Sequence, residues 1–151
     1  MSGRVLEYQA YAWPPELLFK FSIKPGRPRD QAFFEGCALL CAMLSWCIPH
    51  RDTGLRILGD ATGAMEALLH LKGKGQLNHV ARELAWRRVK YGWCFRLGHV
   101  PSEFNNLADC LSRMYSPSAV ELPLSCIAAH QVSEPDWVGM WRALVWHAPR
   151  P

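Results

Sequence analysis

The chain has 151 residues, of which 50% are hydrophobic and 20% are charged. This length fits one ordinary domain with its own core, and the composition excludes an intrinsically disordered chain. The formal net charge of +4 is compatible with nucleic-acid binding but does not require it.

No signal peptide or membrane span is expected. The first residues, MSGRVLEYQAY, lack an apolar stretch after a basic start. The most apolar window, residues 32–48, contains Glu35 and is shorter than the roughly 20 residues that a span needs. The six cysteines form no Cys-x-x-Cys pair. We therefore expect reduced thiols in an intracellular protein, with an organelle as one compatible compartment.

The first part of the chain predicts two strands, a helix and a third strand. Their expected ranges are 4–13, 17–23, 31–47 and 55–59. Pro14-Pro15 ends the first strand, Asp30 is expected to cap the helix, and Pro49 is expected to stop it.

The second part predicts a helix at 62–71, a flexible KGKGQ loop, a helix at 77–91 ended by Gly92, and a strand at 93–100. Helical spacing returns in NNLADCLSRM, and residues 116–134 are expected to be irregular. A last amphipathic segment covers 135–146. The element order indicates a mixed α/β domain over residues 1–116 and an extension over 117–151.

Three carboxylates lie at the ends of predicted elements. Glu35 is the only charged side chain between residues 32 and 48, so the helix partly buries it. A buried carboxylate needs a cation, a metal or strong hydrogen-bond donors. Asp60 ends a buried strand, and Asp109 lies on a helix that follows another strand. Such carboxylates can converge on one crevice of an open α/β sheet, and their oxygens suit Mg²⁺ or Mn²⁺.

Each carboxylate also has a simpler interpretation. Asp60 can cap a helix, Glu35 can pair with Arg82 or Lys72, and Asp109 can be a solvated helix residue. Their spacing alone leaves a metal site and ordinary structural roles both open.

The segment HVPSEFNNLADCLSR, residues 99–113, closely resembles a signature of the ribonuclease H domain of retroelement (retrotransposon) reverse transcriptases. That signature is His-Val-Pro-Gly-x-x-Asn-x-x-Ala-Asp-x-Leu-Ser-Arg, and Ser102 stands where the family usually has Gly. GDATGAMEALLHLKGKGQLNHVARELA looks like the stretch that holds the domain's middle Asp, and QAFFEGCALLCAMLSW resembles the helix that carries its Glu. The likeness spans about residues 3–116, in the family's order and spacing.

The resemblance implies a ribonuclease H-like mixed sheet flanked by helices, with a C-terminal aromatic-rich extension. In the family, four carboxylates hold two Mg²⁺ ions that cleave the RNA strand of an RNA·DNA hybrid, as a two-metal site can. By position, Glu35, Asp60 and Asp109 match the second, third and fourth carboxylates. His99 opens the last motif, where a phosphate contact and a structural role are both open.

The family's first carboxylate, on an initial strand, has no counterpart in these residues. SGRVLEYQAYAW resembles the second strand, so the chain is expected to lack the first, central strand and its Asp. Glu7 would lie on the wrong strand to replace that Asp. Three explanations are open: a fragment of a polyprotein, a strand supplied by another polypeptide, or reuse as a non-catalytic scaffold.

Basic residues cluster in the loop and helix of residues 72–90, namely Lys72, Lys74, Arg82, Arg87, Arg88 and Lys90. In the family, a basic loop and helix in this place hold the backbone of the hybrid, so the resemblance implies nucleic-acid contacts. A solvated helix face is the alternative. Trp86 lies among these residues. Its ring either stacks on a base or packs into the core, and the sequence leaves both roles open.

Two further groups of residues are candidate sites. Cys37 and Cys41 lie one helical turn apart, but no further ligands follow at a useful spacing, which argues against zinc. Trp137, Trp141 and Trp146 crowd the final segment, where they either close the core or dock a partner protein.

The expected function is that of a degenerate retroelement-derived domain, non-catalytic, that binds RNA within a ribonucleoprotein assembly such as a ribosome-like particle. One alternative is a Mg²⁺-dependent ribonuclease H that uses Glu35, Asp60 and Asp109 as part of a reverse transcriptase. The other is a protein-docking scaffold. The expected partners are RNA or an RNA·DNA hybrid and other protein chains, one of which can supply the missing strand. No interaction with a membrane is expected. Magnesium is expected only in the catalytic alternative.

Overall fold

The computed structural model describes residues 5–47, 54–60, 62–118, 121 and 129–141. In these residues the chain is a mixed α/β protein, with short 3-10 helices at Pro28–Asp30 and Ser102–Phe104. The strands and α-helices, in chain order, are β1 (Glu7–Tyr8), α1 (Pro15–Phe21), α2 (Gln31–Trp46), β2 (Gly54–Gly59), α3 (Thr62–Leu69), α4 (Leu77–Tyr91), β3 (Cys94–His99), α5 (Asn106–Ser112) and β4 (His130–Gln131).

Two parallel strand pairs make up the β-structure of the described residues. β2 pairs with β3 from Gly54 opposite Cys94 to Gly59 opposite His99. β1 pairs with β4, so that Glu7 lies opposite His130. The expected α/β class is therefore confirmed.

The core lies between the helices and one face of the β2–β3 pair. Ile57 and Leu97, which are opposite each other, pack against it from the sheet. Met140 and Trp141, from the predicted extension, are buried in the same core. The Trp141 ring contacts Phe21 at a centroid distance of 4.6 Å and Phe33 at 6.0 Å. The extension thus contributes directly to the packing of α1 and α2.

The longer elements follow the sequence prediction closely. The helix predicted at 77–91 is α4, and Gly92 ends it with a φ of +64°, a left-handed conformation that glycine adopts without strain. The structure also confirms the helix predicted at 31–47, within one residue, and the strands predicted at 55–59 and 93–100. Apolar periodicity identified these elements because each buries one continuous face.

The strand predicted at 17–23 is wrong, because residues 17–21 belong to helix α1 and Ser22 is its C-cap. Leu17 and Phe21 are both buried and lie one helical turn apart, whereas Phe19 is 88% exposed. Alternating apolar residues suggested a strand, but Pro15 at the start suits a helix. The burial of one helical face decided between the two patterns.

Other boundaries also differ from the prediction. The strand predicted at 4–13 is confined to Glu7–Tyr8, and the region expected to be irregular at 116–134 contains β4. Of the predicted amphipathic segment, residues 137–140 form a turn. Residues 142–146 and the predicted helix stop at Pro49 lie outside the described residues.

Asp30 precedes α2 but makes no side-chain hydrogen bond that caps it. Its carboxylate is buried and accepts hydrogen bonds from the backbone N–H of Lys24, at 2.9 Å, and from the Arg27 guanidinium. Burial raises the pKa of Asp30, but these bonds and the charges of Arg27 and Arg29 outweigh it and leave that pKa below its usual value. The residue therefore anchors the loop before α2 rather than the helix itself.

The described cysteines are free thiols, and Cys126 lies outside the described residues. The hydrogen bond with Cys41, together with burial, raises the pKa of the Cys37 thiol well above its usual value.

Among the described residues, no three His, Cys, Asp or Glu side chains are placed to hold a metal ion. No helix in this part of the chain is long and apolar enough to cross a membrane.

Candidate carboxylate cleft and basic surface

Glu35 and Asp60 line one cleft of about 780 Å³. Glu35 projects from the first half of α2, and Asp60 directly follows the end of β2. Lys72 and Lys74, from the loop before α4, line the same cleft. The structure therefore brings together two of the three predicted carboxylates with two of the predicted basic residues.

Glu35 is half-buried, as its position in an apolar helix predicts. Its Oε1 accepts a hydrogen bond of 3.2 Å from Nε2 of Gln31, one turn earlier on α2. In the described residues it forms no ion pair, so the predicted pairing with Arg82 or Lys72 is not seen. Its carboxylate keeps capacity to accept further hydrogen bonds from a ligand.

Asp60 is exposed, and its side chain has no hydrogen bond or ion pair within the described part of the chain. Asp109, on α5, is also exposed, but its Oδ1 lies 3.1 Å from Nη2 of Arg113. Neither Asp109 nor His99, which is exposed at the end of β3, lines the cleft. The predicted site residues are thus divided between the cleft and the surface beside it.

Glu35 and Asp60 are the two carboxylates of the cleft. Two carboxylates can hold a Mg²⁺ ion when waters and a substrate phosphate complete its shell. A pair of metal ions would need more carboxylate ligands than Glu35 and Asp60 provide. These two residues are the ones that would hold a single Mg²⁺ at this place.

The loop of Lys72 and Lys74 is held tightly against the start of α4. A Cβ atom on Gly73 would lie 2.7 Å from the backbone N of Asn78 and 2.7 Å from the carbonyl carbon of Leu77. Only a glycine permits so close an approach of loop and helix. The two exposed lysines are therefore presented by a packed backbone.

Helix α4 carries the other basic residues of the surface. Arg82, Trp86 and Lys90 occupy successive turns of one helical face, and Arg82 and Lys90 are exposed. The Lys90 Nζ lies 4.8 Å from the centre of the Trp86 ring. Trp86 is half-buried and is not part of the described hydrophobic core, and the guanidinium carbon of Arg87 lies 5.1 Å from the centre of its ring.

The prediction for Arg87 has to be corrected. Its side chain is buried, its Nη2 donates a hydrogen bond of 2.8 Å to the Met140 carbonyl, and its Nε lies 3.6 Å from Oε2 of the buried Glu83. The guanidinium joins α4 to the turn before Trp141 and is not free to meet a ligand. A sequence pattern of consecutive arginines could not distinguish this residue from Arg88.

The remaining five basic residues, Lys72, Lys74, Arg82, Arg88 and Lys90, are called the basic surface. Within the described residues, none of them forms an ion pair. Arg88 is half-buried and its guanidinium carbon lies 4.8 Å from the Phe95 ring centre. Burial lowers the pKa of nearby His79, and the charges of Arg82 and Lys20 lower it further, as expected beside an excess of positive charge.

A second cleft of about 840 Å³, with a largely apolar lining, lies between the β1 segment, α2 and α5. Trp13, Trp46 and Trp137 contribute to its walls. Of the predicted aromatic cluster, Trp141 closes the core, Trp137 lines this cleft, and Trp146 lies outside the described residues.

Comparisons of the chain with protein-family models, with curated proteins and with solved structures find no match.

Proposed function

We propose that this chain is a ribonuclease H-like domain of retroelement descent that binds RNA without cleaving it, within a ribonucleoprotein assembly. The observation that carries this proposal is the basic surface, whose five cations have no anionic partner among the described residues. Glu83, the one acidic residue between 72 and 90, is buried. Four of the five basic side chains, all except the half-buried Arg88, are exposed, and of these Lys72 and Lys74 lie beside the carboxylates of the cleft.

The chemistry of this surface suits a phosphate backbone. Lysine and arginine side chains bind phosphate oxygens through charge-assisted hydrogen bonds and release counterions as they do so. Trp86, between Arg82 and Lys90, offers a ring on which an unpaired base can stack. Cations and a stacking aromatic on one surface are typical of single-stranded RNA recognition.

The signature at residues 99–113 supports the ribonuclease H-like part of the proposal. Its His99 stands at the end of β3 and its Asp109 lies on the helix that follows, which is the order that the resemblance implies. Asp60 likewise follows the parallel neighbour of β3. The α/β arrangement of these elements is compatible with such a fold.

Removal of two loop lysines tests the proposed RNA contact. The double variant Lys72→Ala/Lys74→Ala is expected to bind a labelled single-stranded RNA roughly 10- to 30-fold more weakly, because each charge-assisted contact is worth about 1 kcal/mol at an exposed site. The slope of log K against log salt should become shallower by about 0.7 for each lost contact. Fluorescence anisotropy across a salt series measures both quantities.

A control is Lys24→Ala, which removes an exposed positive charge after the end of α1. It is expected to retain most of the affinity and the full salt slope. RNA binding by the unmodified chain that does not respond to salt would contradict phosphate contacts and favour the protein-docking alternative, for which the apolar cleft is the available surface.

The second candidate function is a Mg²⁺-dependent ribonuclease H, and it rests on the shared cleft of Glu35 and Asp60. If Mg²⁺ binds there, it supplies Lewis acidity toward a phosphodiester of the RNA strand. Glu35 and Asp60 would hold the ion, and Lys72 and Lys74 would bind the adjacent phosphates. Both candidate functions involve binding to the phosphate backbone of RNA, but only the second includes cleavage of the RNA strand.

A cleavage assay separates these two functions. On the proposed RNA-binding function, the purified chain leaves a labelled RNA·DNA hybrid intact in the presence of Mg²⁺. Metal-dependent cleavage that Asp60→Asn abolishes would overturn that function in favour of the nuclease. Asp109→Asn serves as the comparison for Asp60→Asn. Asp109 lies outside the cleft and pairs with Arg113, so cleavage by a metal site in the cleft should survive this second substitution.

A further inference from the structure

The β2–β3 pair has a second face, opposite to the core, that presents charge to solvent. Side chains alternate along each strand, so Arg56 and Leu58 of β2 share this face with Cys94 and Arg96 of β3. All four side chains are exposed, and Leu58 is 54% exposed. We call these residues, with Gly98, the open sheet face.

Two arginines stand side by side on this face. Arg56 lies directly opposite Arg96 in the parallel register, and neighbouring strands are only about 4.8 Å apart. Like charges in such a position repel each other and disfavour the strand pairing. The pair is therefore a cost to the fold unless an anion is present between the two guanidiniums.

The described part of the chain supplies no such anion. Neither Arg56 nor Arg96 forms an ion pair there. Asp52 is the only Asp or Glu of the sequence that lies outside the described residues. Within the described residues, the two guanidiniums therefore have no compensating anion.

Beside the arginine pair the face presents an apolar side chain. Leu58 lies across Gly98, since a Cβ atom on Gly98 would be 2.6 Å from Cδ2 of Leu58. Arginine forks bind phosphate oxygens in pairs, and an apolar side chain next to them can be covered by a ribose or a base. This combination favours a polynucleotide over a small inorganic anion.

We propose that the open sheet face is a second RNA-binding site, in which Arg56 and Arg96 together hold backbone phosphate and Leu58 lies under the adjoining nucleotide. This inference rests on the proposed RNA-binding function and adds to it a contact on the side of the sheet opposite to the core. On this proposal, the adjacent positions of Arg56 and Arg96 serve to bind a ligand and do not stabilise the pairing of the strands.

Exchange of both arginines is the first test. Arg56→Gln/Arg96→Gln is expected to weaken binding of single-stranded RNA roughly 10-fold and to make the salt slope shallower by about 1.4 for two lost contacts. Without RNA, the melting temperature of this variant should equal or exceed that of the unmodified protein, because the repulsion is removed. Lys24→Gln, at an exposed position after α1, is the control and should leave RNA binding nearly unchanged.

The reactivity of the Cys94 thiol measures directly whether RNA covers the open sheet face. Its thiol is exposed two residues from Arg96, so bound RNA should slow its alkylation by iodoacetamide several-fold, as followed by peptide mass spectrometry. Cys110 on α5, outside the face, should react at the same rate with and without RNA. In Arg56→Gln/Arg96→Gln the protection of Cys94 should be lost.

The outcomes distinguish this inference from the proposed function. If Lys72→Ala/Lys74→Ala weakens RNA binding while the arginine variant binds normally and Cys94 is not protected, the open sheet face is not an RNA site, although the basic surface is. If only the arginine variant loses affinity, the inference stands and the basic surface does not. Protection of Cys94 by polyglutamate but not by RNA would overturn the inference in favour of an acidic protein partner.

Discussion

The variant Arg87→Ala is expected to lower the free energy of unfolding by about 3–5 kcal/mol, the range seen when one partner of a buried ion pair is removed. Arg87 is 6% exposed and Glu83 is fully buried, so truncation leaves the Glu83 carboxylate in the interior without the guanidinium 3.6 Å away. The Met140 carbonyl also loses its hydrogen-bond donor. For a chain of this size the loss corresponds to a fall in melting temperature of roughly 6–20 °C.

Urea unfolding followed by circular dichroism measures this effect. The control is Arg82→Ala, on the same helix, where the side chain is exposed and the change should stay within about 0.5 kcal/mol. The double variant Glu83→Leu/Arg87→Met should recover much of the loss, since apolar residues of similar size can replace a buried pair. An Arg87→Ala protein as stable as Arg82→Ala would contradict the structural role of this guanidinium.

The variant Trp86→Ala is expected to weaken binding of single-stranded RNA by about 1–3 kcal/mol, or roughly 5- to 150-fold, the range for one base stacked on an aromatic side chain. The ring lies outside the hydrophobic core and has the Lys90 ammonium 4.8 Å from its centre. Stacking involves no phosphate, so the salt slope should not change. This separates Trp86 from Lys72 and Lys74, whose removal should reduce the slope.

Two controls accompany this measurement. Trp86→Phe keeps an aromatic ring and should retain most of the affinity. Val89→Ala truncates a side chain that is 87% exposed on the same helix and should alter neither affinity nor stability. Unchanged RNA binding by Trp86→Ala would show that the indole only shields the helix surface and does not stack on a base.

The two arginines at 87 and 88 show where sequence reasoning about the site stops. Both lie in the same run of basic residues, yet Arg87 is buried against Met140 and Arg88 lies against Phe95 at the edge of the core. The difference depends on a turn more than fifty residues further along the chain. No local pattern contains that information.

The carboxylates give a similar lesson. The half-buried position of Glu35 was predictable, because it is the only charged side chain of an otherwise apolar helix that buries most of its surface. Whether Glu35 and Asp60 share a cleft depends on how α2 packs beside the end of β2. The register that places Arg56 opposite Arg96 also arises only when β2 and β3 pair.

By itself, the sequence determined the long elements of this protein. Helices α2 and α4 and strands β2 and β3 follow from local periodicity, since each must bury one apolar face, and Gly92 ends α4 because it adopts a left-handed conformation without strain. The tertiary structure decided the state of short or ambiguous segments. Residues 17–21 became a helix because Leu17 and Phe21 pack into the core on one face, a choice that depends on residues far away in the chain. Only the tertiary structure separated the basic surface and the paired arginines from the buried Arg87, because charge is available to a ligand only where packing leaves it exposed and unpaired.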